Sequence, residues 1–185
     1  MAVNESGHLR LRAMANITLD NGARPAEVVT IRVGDVFCDP GEVAIMGKGQ
    51  RERYVPLGQR RIEFIEDYLR VRPRPTSRDE SLFLDLHDLR KGVGEVQPAK
   101  DLKPVMEARG LLGQASGDSD FSSYTLRKTF ARRAPRPAWI VAELAAIIGH
   151  RPGSIPMLPK HDYSPTRDHK LRAHANVRPS DALHE

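Results

Sequence analysis

Polar and apolar positions keep a helical spacing over the first part of the chain. The stretch HLRLRAMANITLDNG predicts a helix that Gly22 ends, since glycine readily takes the left-handed conformation that closes a helix. RPAEVVTIR predicts a second, short helix. Pro25 suits a first helical position, and Glu27 falls in the first turn, near the positive end of the helix dipole. The period then changes. DVFCDPGEVAIMGKGQRERYVPL holds short β-prone runs divided by Asp39-Pro40-Gly41 and by Gly47-Lys48-Gly49. Both dividers are turn chemistry, so a small antiparallel sheet of two or three strands is expected. From Gln59 to Arg72, Ile62, Ile65, Tyr68 and Leu69 return to helical spacing.

Beyond Arg72 the pattern is more broken. RPRPTSRDE reads as a loop and SLFL as a short extended piece. A helix is expected from about Ala99 to Arg109, stopped by Gly110, and GQASGDSD reads as a loop. YTLRKTFARR is helical up to Pro135, and PAWIVAELAAIIG forms another helix between Pro137 and Gly149. A short helix is expected from Asp168 to Ala175. The fold class that follows is mostly α with a small antiparallel β-sheet, an α+β domain covering residues 1–185.

Composition narrows the class. A chain of 185 residues with 39% hydrophobic content is long enough to bury a core. The single cysteine, Cys38, excludes an internal disulfide and suggests a reducing compartment. The start of the chain lacks a signal-peptide pattern, and the longest apolar run, Trp139 to Ile148, is too short to span a bilayer. A cytoplasmic protein without a membrane partner is expected. Lys and Arg number 29 against 24 Asp and Glu, a net charge of +5, which favours a polyanionic partner.

Taken singly, the polar landmarks are ordinary. Arg24 can be a solvated helix-start residue, Lys48 an exposed turn residue, Arg127 part of a solvated basic face, and His150 a helix C-terminal histidine. Their order changes that. NGARPAEVVTIRVGDV, GKGQRERYVPL, YTLRKTFA and LAAIIGHRPGSI follow one another, with a small sheet between the first two. Together they resemble the tyrosine recombinase (phage integrase) family, whose catalytic domain carries a Gly-x-Arg-x-x-Glu helix start, a Gly-Lys-Gly hairpin, a His-x-x-Arg helix and a Leu-Gly-His turn, then a tyrosine. The likeness runs from about Leu9 to about Ala175, leaving 176–185 as a flexible tail.

The resemblance implies cleavage and rejoining of duplex DNA through a 3′-phosphotyrosine intermediate, as in DNA recombination and integration by mobile elements. Arg24 and Arg127 would hold the non-bridging oxygens of the scissile phosphate with rigid, permanently charged forks. Lys48 would protonate the leaving 5′-oxygen, His150 would hydrogen-bond the phosphate, and Glu27 would buttress Arg24. Preorganised arginine charge replaces what other phosphoryl-transfer enzymes obtain partly from Mg²⁺, so neither a metal nor a small-molecule cofactor is expected. Four of the seven histidines lie in the C-terminal segment, but His161, His169 and His174 lack a compact ligand spacing. The implied partners are double-stranded DNA and further copies of the chain assembled on it.

The sequence departs from the family in three places. Tyr124 stands where the family commonly has His or Lys, three residues before Arg127, and a phenol is a poor base near neutrality. Tyr163 lies 13 residues after His150, farther than usual. Either the segment containing Pro152, Pro156 and Pro159 loops outward and returns Tyr163 to the phosphate, or Tyr163 matches the second tyrosine of a Tyr-x-x-Tyr-Ser-Pro ending. In the latter case Lys160 occupies the nucleophile's place and the nucleophile is missing. Finally, only 23 residues precede Arg24, so the family's N-terminal DNA-clamp domain is expected to be absent. A non-cleaving DNA-binding relative of the family is the alternative these departures favour.

Overall fold

The computed structural model describes residues 2–47, 49–110 and 122–133. Within them lie five α-helices, α1 (Ala2–Asn21), α2 (Pro25–Val29), α3 (Gln59–Val71), α4 (Gln97–Ala108) and α5 (Ser123–Arg133), and a short 3₁₀ turn at Val33–Asp35. Three strands, β1 (Val36–Phe37), β2 (Glu42–Gly47) and β3 (Arg51–Pro56), form one antiparallel sheet in the order β1-β2-β3. The expected α+β class is therefore observed. The helices expected in PAWIVAELAAIIG and near Asp168, and the GQASGDSD loop, lie outside the described residues. No helix among the described residues is long and apolar enough to cross a membrane.

α1 is the central post, packed against α3, α5, α2 and α4. Its Ala13, Met14 and Ile17 enter a core shared with Val43, Ile45 and Val55 of the sheet and with Ile62, Ile65 and Tyr68 of α3. The helical spacing read in the 59–72 stretch thus marks the buried face of α3, except that Leu69 is only partly buried. Burying one such side chain contributes about 1.5–3 kcal/mol, and packing of this face rather than intrinsic propensity holds the helix. Arg12 adds a guanidinium 3.7 Å over the Phe64 ring, crossing from α1 to α3.

Two helix limits differ from the sequence expectation. α1 begins at Ala2 rather than near His8, because no proline interrupts the first residues and Glu5 suits the first turn. α2 stops at Val29 although its pattern continues to Arg32. Ile31 leaves the helix because its carbonyl accepts from the Leu82 amide at 2.8 Å, and Arg32 bridges Ser81. The SLFL segment is thereby drawn inward: Leu82 and Phe83 are fully buried, and the Val93 amide donates to the Phe83 carbonyl at 2.9 Å.

Buried charge fixes the helices around α1. Arg10 on α1, 1% exposed, donates from Nη1 to the Leu84 carbonyl and from Nη2 to Asp101 on α4, both at 2.5 Å. Asp20 pairs with Arg61 on α3, both side chains buried. Each pair joins α1 to a helix distant in sequence, so the end of α1 is held at a defined place. The candidate site begins there.

Candidate active site

Gly22 ends α1 with φ +60°, and its amide donates to the Thr18 carbonyl at 2.8 Å. A left-handed conformation here is costly for residues other than glycine, which is why glycine follows Asn21. Two residues later the backbone is extended at Arg24 (φ −71°, ψ 149°), which caps α2, with Pro25 opening the helix. The Arg24 amide donates to Glu27 Oε2 at 2.8 Å, so the first turn is closed by its own glutamate.

That carboxylate does more than cap. Glu27 Oε1 accepts from Arg24 Nη1 at 3.1 Å. From β3, Arg53 lays a fork across both oxygens, with Nη2 to Oε2 at 2.7 Å and Nη1 to Oε1 at 3.2 Å. Glu27 is 5% exposed, and the Arg53 side chain is 10% exposed. Four donors on two carboxylate oxygens satisfy the acceptor capacity of the group.

Arg127 arrives from α5. Its Nη1 donates to the Gly22 carbonyl at 2.6 Å, across 105 residues of sequence. A single turn therefore serves both arginines: Gly22 closes α1, anchors Arg127, and sets Arg24 two residues away. The charges are coupled. Burial raises the Glu27 pKa, but the Arg53 fork, the Arg24 amide and both positive charges outweigh it and hold the carboxyl below its ordinary value. Burial lowers the Arg127 pKa, and the charges of Arg24 and Arg53 lower it further, against the opposing influence of Glu27 and Tyr124. Arg127 nevertheless remains a cation at neutral pH. Two guanidiniums hold one carboxylate and a third, Arg127, feels its charge from the Gly22 turn, leaving a partly buried excess of positive charge that suits a planar or tetrahedral oxyanion.

Tyr124 stands one turn before Arg127 on α5 and is 48% exposed. It borders an open groove of about 300 Å³ whose walls include Pro25 of α2 and Lys100 and Lys103 of α4. The structure thus brings together Arg24, Tyr124 and Arg127. Lys48, His150 and Tyr163 lie outside the described residues. The flanks of Lys48 are defined: β2 ends at Gly47, which pairs with Arg51 at the start of β3. Among the described residues no group of three or more His, Cys, Asp and Glu is arranged to hold a metal ion.

Sequence reasoning missed Arg53. The signal was available in the alternation of RERYVP, where Arg53 shares a strand face with Val55, and Val55 is fully buried. An arginine on a buried face needs an acid. Glu27, already favoured for the first turn of α2, supplies it.

α2, β3 and α5 thus bring Arg24, Arg53 and Arg127 together around the Gly22 turn and the buried Glu27, an excess of positive charge that can hold an oxyanion. The sequence model of the phage integrase family matches residues 1–159, and the chain belongs to that family. It is 32% identical over 143 residues to the tyrosine recombinase XerD of Corynebacterium glutamicum, covering 77% of this chain and 45% of that one. It is 28% identical over 148 residues to the tyrosine recombinase XerC of Haemophilus ducreyi, covering 80% and 46%. The chain thus spans less than half the length of these two relatives. The fold is shared with the XerH site-specific recombinase, solved in a pre-cleavage complex with its difH substrate: TM-score 0.65, 19% identity, 80% of this chain and 44% of that one.

Proposed function

We propose that this chain is the catalytic domain of a site-specific recombinase that cleaves and rejoins duplex DNA through a 3′-phosphotyrosine. The observation that supports this best is the joint seating of Arg24 and Arg127 on one turn, the first by Glu27 and the second by the Gly22 carbonyl. The Tyr163 hydroxyl gives its proton to solvent water as its oxygen attacks the scissile phosphorus. A bond forms from that oxygen to phosphorus, the bond to the 5′-oxygen breaks, and Lys48 gives the departing oxygen a proton. Arg24 and Arg127 hold the non-bridging oxygens where negative charge builds, with His150 as a further donor. Attack by a 5′-hydroxyl on the phosphotyrosine reverses these steps. The phosphoester bond is exchanged rather than hydrolysed, so the step as written uses neither a nucleotide nor a metal.

DNA binding itself is tested by salt. Duplex affinity measured by fluorescence anisotropy from about 50 to 200 mM salt is expected to fall steeply, on the order of 10³-fold for about six phosphate contacts. A flat dependence would contradict a phosphate-directed site. Tyr124, in the place of a basic residue and weakly basic itself, favours a second reading, a relative that binds DNA without cutting it. Covalent adduct formation separates the two.

A further inference from the structure

Arg53 belongs to none of the roles above, yet it makes the closest contact to Glu27, 2.7 Å from Nη2 to Oε2. Its fork takes the two Glu27 oxygens at 2.7 and 3.2 Å, whereas Arg24 holds the same carboxylate through a single Nη1 bond of 3.1 Å. An arginine beside a free carboxylate favours a bidentate, fork-to-fork pair, which would consume the donors a substrate needs. With both oxygens occupied by Arg53 and by the Arg24 amide, Glu27 can steer Arg24 but cannot close on it.

Gly47 supplies an independent observation. A Cβ at residue 47 would lie 3.3 Å from Arg53 Nη1, 3.2 Å from the Arg51 carbonyl oxygen and 3.8 Å from Glu27 Oε1. Arg53 faces Ile45 across the ladder and reaches diagonally over Gly47 toward α2. The bare backbone at Gly47 is therefore the floor on which the Arg53–Glu27 pair rests. That floor is the last residue of β2, immediately before Lys48. The pair fastens the β2–β3 hairpin to the start of α2 at the last residue of β2.

We propose that Arg53 is a positioning residue: by saturating Glu27 it keeps the Arg24 guanidinium available to a phosphate diester, and it ties the β2–β3 hairpin to the same carboxylate. The proposal rests on the recombinase reading for the identity of the anion, but not for the behaviour of Arg24. The first arm uses the free protein. In ¹⁵N side-chain spectra, rotation of the Arg24 guanidinium is expected to slow in Arg53→Met, as Glu27 closes on it, and to return to the wild-type rate in Arg53→Met/Glu27→Gln.

The second arm is duplex affinity at fixed salt. Arg53→Met is expected to bind about fivefold more weakly than wild type, Arg53→Lys to fall between them, and the double variant to recover, because a neutral amide no longer traps Arg24. A purely structural role gives no such rescue. Unchanged Arg24 rotation in Arg53→Met, or a double variant that binds more weakly than the single one, would overturn the proposal. If Arg53→Met does not fold, Arg53→Lys decides it: unchanged Arg24 rotation there overturns the proposal, and intermediate slowing supports it. Wild-type protein that binds no duplex sinks the recombinase reading, and the rotation arm still decides the role of Arg53.

Discussion

Replacement of Arg127 by alanine is expected to lower the single-turnover rate of DNA cleavage by about 10³-fold while leaving duplex affinity within roughly tenfold of wild type. The asymmetry follows from where charge appears. In the ground state the phosphate is already neutralised in part by the remaining cations, whereas the transition state gathers additional charge on the oxygens facing the arginines. Arg127 is partly buried and fixed by the Gly22 carbonyl at 2.6 Å, so little reorganisation is needed when that charge develops. Pre-steady-state cleavage of a nicked duplex, with affinity measured separately, checks the split. Equal losses in rate and affinity would assign Arg127 to binding alone.

Glu27→Ala should be the most destabilising change at the site, by roughly 3–5 kcal/mol, since it strips Arg24 and Arg53 of the carboxylate they share while the charge of Arg127 stays nearby. That is a large share of the stability of an ordinary domain. The pH dependence has a definite sign. Glu27 is held below its ordinary value of 4.5 in the folded protein, so the folded state binds fewer protons than the unfolded chain in that range. Its contribution is complete above about pH 4.5 and is lost as pH falls through the folded pKa. Denaturant titrations through the acid range should show a shallower loss in Glu27→Gln than in wild type. Parallel acid limbs would mean that the carboxylate is not held by its arginines.

The parts of this site that were legible in the sequence are those set by neighbours along the chain. Gly22, Pro25 and Glu27 announce a helix end, a helix start and an acidic first turn within six residues, and the structure has each in its place. The dividers Asp39-Pro40-Gly41 and Gly47-Lys48-Gly49 likewise marked where the strands turn. Contacts across the chain were not legible. Nothing near Arg127 announces that its partner is a carbonyl 105 residues earlier, and only the order of motifs made it a candidate. Arg10 looks like any surface arginine of an amphipathic helix, yet Asp101, 91 residues away, makes its burial tolerable. The early end of α2 has the same origin: a local pattern favouring helix yields to the Leu82 amide, which claims the Ile31 carbonyl.

The common thread is the assignment of Arg24 and Arg127 to a phosphate that a tyrosine attacks, and the direct test is to trap the covalent product. Wild-type protein is incubated with nicked duplexes drawn from a randomised pool, enriched first for bound sequences, and resolved on a denaturing gel beside Tyr163→Phe and Arg127→Ala. A DNA-linked protein band in the wild type, absent from both variants, is the predicted result. A band that survives Tyr163→Phe would contradict the assignment of the nucleophile. No band from wild-type protein on sequences it demonstrably binds would contradict the cleaving reading itself and leave the non-cleaving relative in its place.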